Sequence, residues 1–211
     1  MPLPTDPLLN TQWHLGNAGG LLDLNVRGVW GAAQGASYTG SGVTVAVIDD
    51  GFDYNHFDLA APYDDVNDFD FNQNDADPFG DPSDAHGTAV MGIIGADNNG
   101  VGAVGVAFDA ALIGYRVLFD VFAASLPTIA NSINEAVTDG ADVANMSLGW
   151  TADYFTPPGY AGIDAAIGNA VSTGRGGLGA TLVKSAGNSR TSNEDINGND
   201  FSNDTSQVGV A

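Results

Sequence analysis

The sequence predicts an α/β fold built on a mainly parallel sheet. Continuous apolar runs occur where strands are expected, and such runs are typical of a sheet that is covered on both faces. Segments with helical periodicity separate these runs, and this alternation favours parallel strands joined by right-handed crossovers. The 211 residues amount to one domain, which is long enough to bury a core.

The elements follow one another in a regular order. We predict strands at 43–49, 111–118, 142–148 and 180–186, and helices at 86–96, 127–139 and 162–173. The stretch 64–84 is acidic and contains proline, which predicts a loop. Because functional groups of parallel sheets gather beyond the carboxyl ends of the strands, residues 49, 148 and 188 are expected at one edge.

Composition excludes some classes of function. The chain carries 26 acidic and 5 basic residues, a formal net charge of −21. Such a chain repels nucleic acid and anionic membranes, so neither is expected as a partner. Cysteine is absent, so disulfides are excluded. Two explanations of the many aspartates stay open: a strongly solvated surface suited to a salty habitat, and loops that bind calcium.

Two motifs carry acid–base chemistry. The run Val45-Ala-Val-Ile-Asp49-Asp50-Gly51 ends an apolar strand in a carboxylate, and His86-Gly-Thr-Ala-Val-Met-Gly92 opens a helix with an imidazole. A strand-end aspartate alone would more often serve a turn or a cap. Together, in this chain order, the two residues are typical of the first members of an Asp-His-Ser triad. The expected Gly-Thr-Ser type of turn does not occur before Ala211, so we expect the chain to be inactive alone.

Further segments resemble one family in register along nearly the whole chain. These are 6–15, 23–30, 38–43, 49–51, 55–59, 174–179 and 185–188. They are similar to subtilases, the subtilisin-like serine proteases, and within them to bacterial-type members of the kexin and furin branch of proprotein convertases. The resemblance implies a subtilisin-like three-layer fold, C-terminally incomplete. It also implies that residues 1–211 are the N-terminal and central part of one peptidase catalytic domain, in a calcium-dependent endopeptidase whose serine lies beyond this chain.

The resemblance also implies roles for individual residues. Asp49 would be the triad acid, His86 the general base, and Asn188 a donor to the oxyanion. Asp50 would face the substrate and favour a basic neighbour. Ser147, Leu148 and Gly149 would pair with an extended peptide by strand addition.

Calcium (Ca2+) is the cofactor that the resemblance implies. A first set of oxygen ligands would be Asp6, Asp58, Asp97, Asn99, Val101 and Ala103. A second would be Asp70, Asp75 and Asp77. All are oxygen donors of the kind calcium prefers, while the plain alternatives are an Asn-Gly turn and a solvated acidic loop. Glu194, Asp153 and Ala152 match a third family site poorly.

Specificity and location are expectations of the same kind. Asn199 stands where the convertases carry an aspartate at the floor of the specificity pocket, and the stretch 119–127 carries only Asp120 where the family carries several acids. Strict cleavage after arginine is therefore not expected. We expect a secreted protein, with a peptide or protein substrate and the rest of its own domain as partners. Two other functions stay open: an inert calcium-binding fragment that holds peptides, and a transpeptidase.

Overall fold

The main element of the fold is a parallel sheet. The computed structural model describes residues 3–16, 20, 22–31, 38–118, 124–149, 160–188 and 206–210. Six strands lie in the order β2-β3-β1-β4-β5-β6, and neighbouring strands are parallel. The strands are β1 Thr44–Asp49, β2 Phe69–Asp70, β3 Ala111–Arg116, β4 Val143–Met146, β5 Thr181–Ser185 and β6 Val208–Val210.

The described residues also form four α-helices and one 3₁₀ helix. The 3₁₀ helix is Leu9–Thr11, and the α-helices are α1 Val26–Trp30, α2 His86–Gly95, α3 Leu126–Thr138 and α4 Ala161–Gly177. Ser125 caps α3 by accepting a hydrogen bond from the Thr128 amide, which satisfies one of the free donors of the first turn. The backbone of α4 leaves helical geometry at Gly174.

The two faces of β1 explain the layers. Ala46 and Ile48 point to the core formed with α3 and α4, while Val45 and Val47 point to the core on the side of α2. Side chains that alternate between two buried faces require the unbroken apolar run of this strand. The predicted α/β class with a mainly parallel sheet is therefore confirmed.

Some elements differ from the prediction. Strand β2 lies inside the segment predicted as a loop, and neither β6 nor α1 was predicted. Each has five residues or fewer, too few to display a period. No helix among the described residues is long and apolar enough to cross a membrane.

Candidate active site

Asp49 and His86 form a hydrogen-bonded pair at the carboxyl edge of the sheet. Strand β1 ends at Asp49 and helix α2 begins at His86. The His86 Nδ1 lies 2.7 Å from the Asp49 Oδ1. The Asp49 side chain is fully buried, whereas that of His86 is 49% exposed. The contact at Nδ1 leaves Nε2 as the ring nitrogen that can exchange a proton with another group.

Gly87 allows the helix to approach the strand this closely. A Cβ atom at Gly87 would lie 2.6 Å from the Gly51 carbonyl oxygen and 3.0 Å from the Asp49 Cβ. The first distance is shorter than real Cβ contacts allow and involves a backbone atom, and the second is tight, so a side chain here would force the backbone to move. The small residue after His86 is thus a packing requirement of the pair.

Burial and hydrogen bonding oppose each other at this pair. Burial raises the pKa of Asp49 to about 6, although hydrogen bonds from His86 and from the Asp50 amide act to lower it. Burial alone would lower the pKa of His86. The hydrogen bond to Asp49 and the charges of Asp49 and Asp50 outweigh burial, so the pKa of His86 is raised. A proton on His86 is stabilised by the carboxylate, which is what a general base requires when it accepts one.

A cavity of about 290 Å³ opens beside His86. It brings the imidazole together with the predicted peptide-binding and oxyanion residues; its lining is His86, Leu118, Ser147, Leu148, Gly149 and Asn188. Strands β4 and β5 pair with Met146 opposite Lys184, so the segments that follow them border the same space. An exposed amide and an imidazole at one cavity can stabilise an oxyanion and move a proton.

Asp50 occupies a different place from the one expected. Its Oδ1 accepts a hydrogen bond from the Gly87 amide at 2.7 Å, and its Oδ2 accepts one from the His86 amide at 3.3 Å. The residue is buried at 4% exposure and does not line the cavity. Its carboxylate therefore faces the start of α2 in this structure.

Two basic residues near the site were missed by sequence reasoning. Arg116 ends β3, and its guanidinium donates to the Asp50 carbonyl oxygen and to the carboxylates of Asp70, Asp81 and Asp84. Lys184 is buried in β5. The signal was available, because a basic residue near the end of an apolar strand is rare in a chain with 5 basic residues.

The first predicted calcium set comes together where the N-terminal segment meets two loops. Asp6 and Asp58 are buried. The Asp6 Oδ1 accepts from the Gly100 amide, and its Oδ2 is buried without a hydrogen-bond partner among the described residues. The Asp58 Oδ2 accepts from the Ala103 amide at 3.0 Å. A buried carboxylate oxygen without a donor is costly unless a cation meets it, so these residues fit a hard cation.

The remaining members of the first set lie in the adjoining loop. Burial raises the pKa of Asp97, and the charges of Asp6, Asp109 and Asp58 add to the shift. The Asn99 Oδ1 accepts from the Val101 amide, and its Nδ2 donates to the Phe57 carbonyl oxygen. The loop thus holds oxygens close to carboxylates that have no positively charged partner among the described residues.

The second predicted calcium set is organised differently. Asp70 is fully buried, and its Oδ2 accepts from the Arg116 guanidinium at 3.0 Å while its Oδ1 accepts backbone amides. Asp75 and Asp77 are exposed, and Asp77 accepts from the Tyr54 hydroxyl. Since a guanidinium already balances Asp70, this set fits a cation less well than the first. Asp120, Ala152, Asp153, Glu194 and Asn199 lie outside the described residues.

A buried aspartate hydrogen-bonded to a histidine at the edge of a parallel sheet is the arrangement of the acid and the base of an Asp-His-Ser triad. Residues 40–210 match the subtilase family, and the chain belongs to this family of serine proteases. It is 36% identical to furin of Homo sapiens over 206 residues, which cover 95% of this chain and 25% of furin. It is 33% identical to a dibasic-processing endoprotease of Schizosaccharomyces pombe over 214 residues, covering 94% of this chain and 28% of that protein.

Solved structures agree with the sequence relatives. The serine protease of Aeromonas sobria superimposes with a TM-score of 0.76 at 30% identity, covering 89% of this chain and 33% of that one. The sequence relatives confirm the predicted resemblance to the kexin and furin branch. The chain spans about a quarter of the length of furin.

Proposed function

We propose that the chain supplies the acid, the base and part of the peptide groove of a calcium-dependent serine endopeptidase of the subtilisin and kexin type. The observation that carries this proposal is the 2.7 Å contact between the buried Asp49 and His86 at a cavity that Asn188 also lines. The nucleophile is a serine outside residues 1–211. Membership of the subtilase family supports this assignment.

The geometry supports a sequence of proton transfers. A substrate peptide lies extended along Ser147, Leu148 and Gly149. His86 takes the proton of the serine hydroxyl as its oxygen attacks the scissile carbonyl, and the Asn188 amide donates to the oxyanion. The imidazolium then gives its proton to the leaving amine. Water then attacks the acyl group as His86 takes its proton, and the imidazolium returns a proton to the serine oxygen as it leaves. Asp49 stabilises the imidazolium in both stages.

The test is peptide hydrolysis by a form of the protein that contains both this chain and the serine. Asp49→Asn is expected to lower kcat by about 10⁴-fold, because the amide favours the wrong imidazole tautomer. His86→Ala should lower it at least as far. Glu135→Gln, on the exposed side of α3, is the matched control and should leave the rate unchanged.

Other outcomes point to other functions. Substantial hydrolysis by the His86→Ala variant would contradict the proposal. Tight peptide binding without turnover would favour the inert peptide-holding protein, and peptide ligation in place of hydrolysis would favour the transpeptidase.

Calcium and secretion belong to the same proposal. The Asp6 Oδ2, which is buried and has no hydrogen-bond partner in the part of the chain that the structure describes, supports calcium at the first set. There Asp6, Asp58 and the 97–103 loop would hold the ion and tie the N-terminal segment to the core. A site of this kind suits the calcium-rich exterior of a cell, which supports secretion. The substrate is a peptide or protein, and the rest of the catalytic domain is the expected partner.

A further inference from the structure

Lys184 is a buried lysine whose ammonium lies beside the candidate peptide groove. We propose that Lys184 determines specificity: its positive charge disfavours a cationic substrate side chain at the peptide position nearest Gly149 and favours a neutral or acidic one there. This inference rests on the proposed function, because it concerns the substrate of the same groove. It names a substrate class, peptides without arginine or lysine at that position.

The place of the lysine in strand β5 directs its side chain. Residues two apart in a strand point to the same face of the sheet, so Lys184 shares the face of Leu182, which is buried in the core with α3 and α4. Lys184 as a whole is 1% exposed. A long side chain of this kind packs its stem against apolar groups and carries its charge to their edge.

The ammonium lies at the carboxyl edge of the sheet, next to the groove. Lys184 pairs with Met146 of β4, and the predicted peptide-binding residues 147–149 follow Met146 directly. The Lys184 Nζ donates to the Ser185 carbonyl oxygen at 2.5 Å, and it lies 3.4 Å from the position that a Cβ of Gly149 would take. Because Gly149 lines the cavity of about 290 Å³, the charge is in contact with the wall of that cavity.

A buried ammonium at this point indicates a function. Taking a charge out of water is costly, and the chain carries only 5 basic residues against 26 acidic ones. An apolar side chain of the same length would fill the strand position at a lower cost. Burial lowers the pKa of Lys184 from 10.5 to about 8, so most molecules keep the positive charge at pH 7. A charge perturbed in this way beside a cavity is typical of a functional residue.

The charge of Lys184 opposes the field of the rest of the chain. The net charge of −21 attracts cationic peptides from a distance, and salt screens this attraction. The ammonium acts at short range, where two unit charges about 10 Å apart change an affinity by about tenfold at the effective dielectric of a protein. Other groups that contact the ammonium leave this argument intact, because methionine in place of the lysine changes the local charge by one unit in every case.

The first experiment measures peptide binding by this chain at physiological ionic strength. Three short peptides are identical except for arginine, norleucine or glutamate at one position, which is moved in turn along the peptide. The shift of the Gly149 amide signal in NMR shows which position lies nearest. At that position, Lys184→Met should tighten binding of the arginine peptide relative to the norleucine peptide by about tenfold. Binding of the glutamate peptide should weaken relative to norleucine by a similar factor.

The matched control is Arg175→Met, which removes one positive charge far from the groove. Arg175 pairs with Asp142, and Asp142 precedes β4 at the opposite edge of the sheet from Gly149. This variant should leave the ratios of the three affinities unchanged. Unchanged ratios in Lys184→Met, or an equal change in the control, would overturn the proposal. So would the failure of all three peptides to perturb Gly149, because the groove would then hold no peptide there.

A measurement on the unaltered chain covers the case of a Lys184→Met variant that does not fold. High salt removes the long-range attraction of the acidic surface, while the contact of a buried charge survives. Under these conditions the arginine peptide should bind several-fold more weakly than the norleucine peptide at the position nearest Gly149. Tighter binding of the arginine peptide there would show that a negative group controls this position, and the proposal would be wrong.

Kinetics separate this inference from the proposed function. In a form that contains the serine, Lys184→Met should raise kcat/KM for the arginine peptide relative to the norleucine peptide by about tenfold. This ratio cancels any effect that is common to both peptides, so a merely structural role of Lys184 would leave it unchanged, and an unchanged ratio would contradict the proposal. Absence of any hydrolysis by the unaltered enzyme would refute the proposed function, while the binding ratios would still decide the role of Lys184.

Discussion

Lys184 brings a positive charge into the sheet layer of the molecule. The residue is 1% exposed, and its Nζ donates to the Ser185 carbonyl oxygen at 2.5 Å. Burial lowers its pKa from 10.5 to about 8. The ammonium lies 3.4 Å from where a Cβ of Gly149 would be, and Gly149 lines the cavity beside His86.

Replacing Lys184 by methionine should stabilise the protein near neutral pH. The folded pKa of about 8 lies below the unfolded value of 10.5, so folding disfavours the proton. The penalty is therefore fully present below pH 8 and disappears as the pH rises through 10.5. We expect Lys184→Met to gain up to about 2 kcal/mol at pH 7, after loss of the interactions that the ammonium makes.

The measurement is the Tm of the unaltered protein and of the Lys184→Met variant at pH 7 and at pH 10. Arg175→Met is the control, because an exposed arginine does not titrate in this range. A stability gain for Lys184→Met that stays constant between the two pH values would contradict the explanation by burial.

Single residues show where sequence reasoning stops. The motifs place Asp49 at the end of a strand and His86 at the start of a helix, and in the structure these elements meet. The place of Asp50 could not be predicted in this way, because adjacent residues in an extended chain point in different directions. That the Asp50 carboxylate meets the start of helix α2 depends on tertiary packing.

At the scale of elements, the contact between the end of β1 and the start of α2 depends on Gly87. Gly87→Ala would place a methyl group against the Gly51 carbonyl oxygen and the Asp49 Cβ. We expect a loss of about 1–3 kcal/mol in unfolding free energy. We also expect a lower pKa of His86, because the hydrogen bond that its ring donates to the Asp49 carboxylate, which raises this pKa, would weaken.

Gly92→Ala on the same helix is the control. A Cβ there meets nothing within 4 Å, so the change should stabilise the helix by up to about 1 kcal/mol. Thermal melts and histidine NMR compare the two variants. Equal effects of the two substitutions would show that the close contact at Gly87 does not constrain the Asp49–His86 pair.

The elements differ in how far their sequences predict them. The strands β1, β3, β4 and β5 and the helices α2, α3 and α4 correspond to predicted ones within a few residues. They carry either a continuous apolar run or a helical period. Strand β2 has two residues and exists because Phe69 and Asp70 pair with Tyr115 and Arg116. Such pairing is a tertiary contact that no local pattern records.

At the scale of the whole molecule, charge is the dominant feature. The net charge of −21 destabilises the compact state by self-repulsion. Part of the repulsion acts between Asp6, Asp58 and Asp97, since the charges of Asp6 and Asp58 add to burial in raising the pKa of Asp97. These residues join segments far apart in the sequence, and the Leu8 amide also donates to the Gly102 carbonyl oxygen across the same junction. A bound divalent cation there would stabilise the whole domain.

Calcium is therefore expected to raise the Tm beyond the effect of ionic strength. A ligand present at about 100 times its Kd stabilises the folded state by about 2.7 kcal/mol. Asp58→Asn removes one carboxylate charge while keeping the shape of the side chain, so it should abolish most of the calcium-dependent gain. Glu135→Gln removes one charge from the exposed side of α3 and should preserve the gain.

Melts are compared in chelator, in millimolar calcium and in magnesium at matched ionic strength, because any cation screens a chain of this charge. Magnesium demands near-ideal octahedral geometry and dehydrates reluctantly, so it should stabilise less than calcium. Equal gains for the two cations, or an Asp58→Asn variant that responds like the unaltered chain, would assign the effect to screening of the surface and remove calcium from the first set.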